Sequence, residues 1–171
     1  GCTVIRNGIS KTNPDNNEPY IQADIGTRVG VSKIKGFIKE QYGRLDVLVN
    51  NAAFTEYIEH KELDQLTDDL FDRIYSVNLK GPFMCVQDLH SLLLMSTDAS
   101  IINISSVGAS TGNGSNIAYC AMKAGLTTMT KSLARCLSPI RVNSISPGLI
   151  ETNFVSFPGN YIEDMVSKTP L

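Results

Sequence analysis

The chain has 171 residues, 42% of them hydrophobic and 19% charged, enough for one domain with a buried core. Its net charge of -2 comes with scattered Lys and Arg, which offers no patch for nucleic acid or an anionic membrane. The longest apolar run, near Leu92 to Met95, is far too short to span a bilayer, and no signal peptide is visible.

Taken in order, the chain alternates between strand and helix patterns. Cys2 to Arg6 is a short β-branched run, and Asn7 to Pro19 is a polar loop rich in Asn and Pro. Tyr20 to Ile25 reads as a second strand. Val29 to Tyr42 carries Val31, Ile34, Phe37 and Ile38 at helical spacing and is closed by Gly43. Leu45 to Val49 is a nearly continuous apolar strand. Asp64 to Leu79 is helical, Gly81-Pro82 interrupts it, and a further helix runs from Phe83 to Met95. Ser100 to Ile104 is a strand, about Ile117 to Leu137 a helix, and Ile140 to Ile145 a last strand broken by Pro147-Gly148. Asn160 to Lys168 has the pattern of a short helix. The four cysteines have no C-x-x-C spacing and sit in apolar segments, which predicts buried free thiols in a reducing compartment such as the cytoplasm rather than disulfides or a metal site. His60 and His90 stand apart from any cluster and read as surface or structural residues.

This alternation predicts a parallel sheet with helices on both faces. The strands at Leu45, Ile101 and Ile140 lack the alternation of a half-exposed strand, as expected when both faces are covered. Ligands of such sheets bind beyond the carboxyl ends of the strands. Here those ends are Asn50-Asn51-Ala52, Ser105-Ser106 and Ser146-Pro147-Gly148.

The stretch from Ser105 to Lys131 holds the clearest chemistry. Tyr119 and Lys123 are four apart on a helix, so they lie one turn apart on the same side. An ammonium beside a phenol favours the phenolate, so the pair predicts a lowered Tyr119 pKa and a proton donor and acceptor. Ser106, thirteen residues upstream at a strand end, is placed to hydrogen-bond a substrate oxygen. A second Tyr-x-x-x-Lys, Tyr57 to Lys61, has no other chemical residue in register and reads as a solvated helix face.

The motifs resemble one family. Asn50-Asn51-Ala52-Ala53, Val77-Asn78-Leu79-Lys80-Gly81, Ile104-Ser105-Ser106, Tyr119-x-x-x-Lys123, Arg141-Val142-Asn143 and Pro147-Gly148-x-x-x-Thr152 follow the order and nearly the spacing of the short-chain dehydrogenase/reductases. The resemblance covers most of the chain and implies a Rossmann-like doubly wound parallel sheet in three α/β/α layers, as a single NAD(P)-binding oxidoreductase domain over residues 1–171. It implies Tyr119 as general acid and base, and Lys123 as the residue that lowers its pKa and holds the nicotinamide ribose. It implies Ser106 as the holder of the substrate oxygen and Asn78 as the anchor of a water. Cofactor contacts would come from Asp24 and Ile25 at the adenine, and from Asn51 and Ala52 at the adenosine ribose. Tyr119, Lys123, Pro147, Gly148, Ile150 and Thr152 would serve the nicotinamide half. NADP or NAD is implied, with a lean to NADP because Arg6 could pair with a 2′-phosphate and no acidic residue stands near Arg6 to Ser10. The substrate would be a small carbonyl/alcohol pair, shaped by the loop Gly108 to Asn116 and the segment after Thr152. Small residues Ala121, Ala124, Gly125 and Thr128 allow close helix approach in a homodimer or homotetramer, or close packing on the chain's own sheet.

The sequence also departs from the family. No Gly-x-Gly-x-x-Gly or Thr-Gly-x-x-x-Gly segment occurs in these 171 residues. The first strand, its glycine turn and the last strand are not among them, which predicts a gap in the middle of the sheet and a domain incomplete at both ends. The alternative reading is a non-catalytic remnant of the family that acts as a binding or interaction module.

Overall fold

Short strands and amphipathic helices follow one another along the chain in nearly the expected sequence. The structure, a computed structural model, describes residues 1–11, 18–150, 152 and 154–167. Residues 12–17, inside the expected polar loop, and Lys168, at the end of the expected tail helix, lie outside that range.

The first strand, β1 (Arg6–Gly8), pairs in parallel with β2 (Tyr20–Gln22). It begins later than the β-branched run predicts, because the backbone partners come from the second segment: Arg6 N donates to Pro19 O and Ala23 N to Gly8 O. Helix α1 (Arg28–Gln41) starts where the Thr27 side chain accepts from Gly30 N at 3.1 Å, and it buries Val31, Ile34 and Ile38. It ends before Gly43, whose φ of 69° needs a residue without Cβ. Strand β3 (Val47–Asn50) follows.

The next segment corrects an expectation. A 3₁₀ turn (Leu63–Gln65) and helix α2 (Asp68–Tyr75, capped by Thr67) lead into a π turn (Ser76–Lys80), which runs straight into α3 (Gly81–Leu93). Gly81-Pro82 does not interrupt the helix. The wider turn carries the chain past a proline that has no N–H to give, with Gly81 N donating to Ser76 O. Gly81 also sits where a Cβ would lie 2.9 Å from Ile25 O, so a larger residue would push the segments apart. Strand β4 (Ser100–Ile104), a one-turn helix α4 (Gly108–Thr111), helix α5 (Ile117–Cys136), strand β5 (Arg141–Ile145) and helix α6 (Tyr161–Ser167) complete the order.

Strands β3, β4 and β5 form a parallel sheet in that order, with Leu48 opposite Ile101 and Ile101 opposite Val142. Strands β1 and β2 make a separate two-stranded sheet, and among the described residues nothing pairs with the outer edge of β3. Among the described strands only β4 has a neighbour on each side. The expectation that all three apolar strands are covered on both faces fails at β3, where Val47 and Val49 are 48% and 50% exposed, and at β5, where Val142 is buried but Ile145 is 52% exposed. The core lies in two main clusters. One joins α1 and α3 through Val31, Ile34, Ile38, Met84 and Leu89, with Leu48 against it. The other joins α5 to the sheet through Leu133, Ile101 and Val142. A chain of buried polar groups crosses that sheet. Asn50 Nδ2 donates to Asn103 Oδ1 at 2.8 Å, Asn103 Nδ2 to Thr130 Oγ1 at 2.8 Å, and Thr130 Oγ1 to Leu126 O at 2.8 Å.

Two smaller expectations are also corrected. Cys85 and Cys120 are buried thiols, but Cys2 and Cys136 are exposed, since neither packs against the core clusters. Tyr57 and Lys61 are not on a helix. They lie in the irregular segment after β3, where Lys61 pairs with Glu59 at 2.9 Å and the Tyr57 ring meets Phe157 edge-on. His60 reaches Gly114 O at 3.2 Å, and His90 is half-buried on α3. No helix among the described residues is long and apolar enough to cross a membrane.

Candidate active site

Helix α5 carries the phenol and the amine, and its start is fixed by one residue. Asn116 Oδ1 accepts from Tyr119 N at 2.7 Å, the usual bond of an Asn N-cap. The same side chain reaches across to the segment after β3, donating to Thr55 Oγ1 at 3.0 Å and Glu56 O at 2.7 Å. Ser115 adds a bond to Thr55 Oγ1 at 2.6 Å, and its carbonyl accepts from Ile58 N at 2.8 Å. Asn116, Ser115 and Thr55 are all buried, so this latch rigidly joins two walls of the cleft. The sequence reading passed over all three. The signal was present: an Asn three residues before the tyrosine that opens a helical pattern.

Tyr119 and Lys123 face the same cleft. Lys123 is buried, its Nζ donates to Ile104 O at 2.6 Å, and it stands 5.6 Å from the centroid of the Tyr119 ring. Ser106 lies just beyond the tip of β4, its hydroxyl facing the Tyr119 phenol closely enough to pull the phenol's pKa down. Its Oγ accepts from Gly108 N at 3.1 Å. The adjacent Ser105 is turned into the protein, where its Oγ donates to Lys123 O at 3.0 Å and meets Thr127 Oγ1 at 2.7 Å. Ser106 is therefore the hydroxyl paired with Tyr119, and Ser105 is a brace between β4 and α5.

The titration of the pair differs from the expectation. Burial pushes the Tyr119 phenol up from its ordinary value, and the hydrogen bond from Ser106 pulls only partly the other way. Lys123 does not lower it, because the ammonium is directed at the Ile104 carbonyl and is itself held down, to about 8, by burial. Desolvation outweighs attraction at both groups, which leaves a protonated phenol beside a lysine titrating near neutrality.

These groups open into a cleft of about 510 Å³. Of the expected site residues, Asn51, Ala52, Ser106, Tyr119, Lys123, Pro147, Gly148, Ile150 and Thr152 all line it. Three do not. Asn78 is completely buried, and its amide is used on Phe54, accepting from Phe54 N at 3.0 Å and donating to Phe54 O at 2.6 Å. Asp24 accepts from Gly26 N at 2.8 Å and from Arg73 at 2.9 Å, and Ile25 is packed in the core. The arrangement suits one half of a dinucleotide. Asn51 and Ala52 are exposed backbone at the end of β3, and a Cβ on Gly148 would meet nothing within 4 Å, so a flat ring can approach there. Among the described residues, no glycine-rich turn stands at a helix start to cradle a pyrophosphate.

A parallel sheet whose strand tips carry a hydroxyl, facing a helix with a Tyr and a Lys one turn apart, defines an α/β protein of the Rossmann-like, doubly wound class. The comparisons agree with that class. A family model described as enoyl-(acyl carrier protein) reductase matches residues 6–171. The chain is 35% identical to the 3-oxoacyl-[acyl-carrier-protein] reductase FabG of Thermotoga maritima, over all of this chain and 74% of that protein. It is 36% identical to the enzyme of the same name from Staphylococcus aureus, over 88% of this chain and 61% of that one. The solved aldohexose dehydrogenase of Thermoplasma acidophilum superposes with a TM-score of 0.81 at 30% identity, over 89% of this chain and 58% of that one. The chain belongs to the short-chain dehydrogenase/reductase family. It spans roughly three-fifths to three-quarters of the length of these relatives.

Proposed function

We propose that this chain carries the catalytic wall of an NAD(P)-dependent oxidoreductase that interconverts a carbonyl and an alcohol. The observation that carries the reading is the convergence of the Tyr119 phenol, the Ser106 hydroxyl and the Lys123 ammonium on one cleft beyond the ends of β4 and β5. A nicotinamide nucleotide, when bound, supplies or accepts the hydride. Everything else is done by residues of the chain. In reduction, Ser106 donates a hydrogen bond to the carbonyl oxygen and Tyr119 gives it a proton; in oxidation Tyr119 takes that proton back. The phenol's raised pKa keeps it protonated and ready to donate. Lys123 would hold the ribose hydroxyls of a bound nucleotide, and its charge in the same cleft would ease loss of the phenol's proton. Asn78 is a positioning residue: its amide holds the Phe54 backbone, and the preceding residues Asn51 to Ala53 line the cleft where a nucleotide would bind.

Either dinucleotide is compatible with this site. The lean to NADP rests on Arg6, which here donates to Glu18 at 2.6 Å and must leave that carboxylate to meet a 2′-phosphate. The proposed association as a homodimer or homotetramer would use the outer faces of α3 and α5, where Phe83, Ala121 and Thr128 are exposed. Gly125 is already accounted for inside the chain, since a Cβ there would lie 3.1 Å from Leu79. The decisive experiment titrates the protein with NADPH and NADH by nicotinamide fluorescence, then compares carbonyl reduction by wild type and Tyr119→Phe. Removing the proton donor should lower kcat by at least about 10²-fold and leave nucleotide binding unchanged. Full activity in Tyr119→Phe would take the phenol out of the mechanism. Absence of nucleotide binding would favour a non-catalytic binding module instead.

A further inference from the structure

Beyond Tyr119 the cleft changes character. Phe154 lies against the Tyr119 ring, centroids 6.3 Å apart, and Phe157 meets Tyr57 edge-on at 5.5 Å. Leu149, Val155 and Ile162 extend the same wall. Among the described lining residues Lys123 is the one charged side chain, and one of its three N–H donors is directed at Ile104 O, away from the aromatic wall. Phe154 is 43% exposed and Leu149 40%, so large apolar surface faces water inside a concave site. Such surface gains free energy when a ligand covers it.

We propose that this aromatic wall selects an uncharged carbonyl compound bearing a hydrocarbon tail, with the carbonyl oxygen at Ser106 and Tyr119 and the tail against Phe154, Phe157 and Ile162. The proposal rests on reading the cleft as a carbonyl site and adds the class of compound it takes. A carboxylate placed against these rings would lose hydration with no guanidinium among the described lining residues to replace it. A polyol would lay its hydroxyls on the same hydrocarbon surface. The relatives do not decide the matter, since one is named for an acyl substrate and another for a hexose.

The test measures dissociation constants by ligand-observed NMR for methyl ketones bearing ethyl, butyl and hexyl groups, for levulinate anion and for glucose. Wild type, Phe154→Ser and Phe157→Ser are compared with and without NADPH. Both phenylalanines lie outside the core clusters, and circular dichroism checks that each variant is folded. Wild-type binding should tighten by about threefold to fourfold for each added CH2, up to the length of the wall. Levulinate and glucose should bind at least about tenfold more weakly than the butyl ketone, and each serine variant should flatten the dependence on tail length. Equal binding of all three ketones, tighter binding of levulinate or glucose, or an unchanged slope in both variants would overturn the assignment. The slope without any turnover would uphold the wall and sink the redox reading. Turnover without the slope would do the reverse.

Discussion

Replacing Lys123 with Met tests the electrostatics of the site directly. The lysine is buried, and burial brings its pKa from 10.5 to about 8. Below about pH 8 the native state therefore holds an ammonium that water would solvate better. Between about pH 8 and 10.5 the unfolded chain binds more protons than the native one, so stability rises with pH across that window. The drop from 10.5 to about 8 corresponds to about 3 kcal/mol. That figure is a ceiling, because the 2.6 Å bond to Ile104 O favours the ammonium and offsets part of the burial cost. Cys85, raised to about 12 by burial, works the other way, losing stability as pH rises above its ordinary value of 9. It is common to both proteins and cancels in their difference. The assay is urea unfolding followed by circular dichroism at a series of pH values on wild type and Lys123→Met. The stability of wild type minus that of the variant should climb by up to about 3 kcal/mol between about pH 7 and pH 10.5. A flat difference would mean that the amine is solvated in the native protein, and one that falls with pH that a partner raises its pKa; either would refute the reasoning.

Asn116→Ala removes the cap at Tyr119 N and the two bonds to the Thr55–Glu56 segment, leaving buried polar groups without partners; a loss of about 2–4 kcal/mol is expected in thermal unfolding. Two glycines of α1 should respond in opposite directions. A Cβ on Gly30 would lie 2.0 Å from Asp24 O, so Gly30→Ala should destabilise by more than about 2 kcal/mol. Gly36 has open space around it in the same helix, and Gly36→Ala should stabilise by up to about 1 kcal/mol. Both are read by chemical denaturation.

Much of the site was legible because its signals are local. The helical spacing from Ala118 to Leu133 placed Tyr119 and Lys123 on one side, and the apolar run Ser100 to Ile104 ended where β4 ends. Features set by long-range contact were not legible. The direction of the Tyr119 shift depends on how deeply the ring is buried and where the Lys123 amine points, and neither follows from spacing. The motif order points to Ser106, but it does not show the separate job of its neighbour Ser105, turned inward to Lys123 O and Thr127. Gly81-Pro82 looked like a break because proline stops an ordinary helix; a π turn absorbs it, and no simple periodicity announces such a turn. The latch of Asn116, Ser115 and Thr55 joins residues about sixty positions apart, beyond the reach of any local pattern.

The amide ladder through the sheet has a consequence for accuracy of alignment. Asn50 and Asn103 sit opposite each other, and Asn103 in turn needs Thr130 on the helix behind. If β3 slid by one residue so that Val49 came opposite Asn103, Asn103 would lose its donor in a buried interior, while every other side chain of the strand would swap faces. Apolar strands alone would tolerate such sliding better. The ladder thus acts as a vernier, setting where Asn51 ends up relative to Ser106 and so how far apart the two lips of the crevice stand.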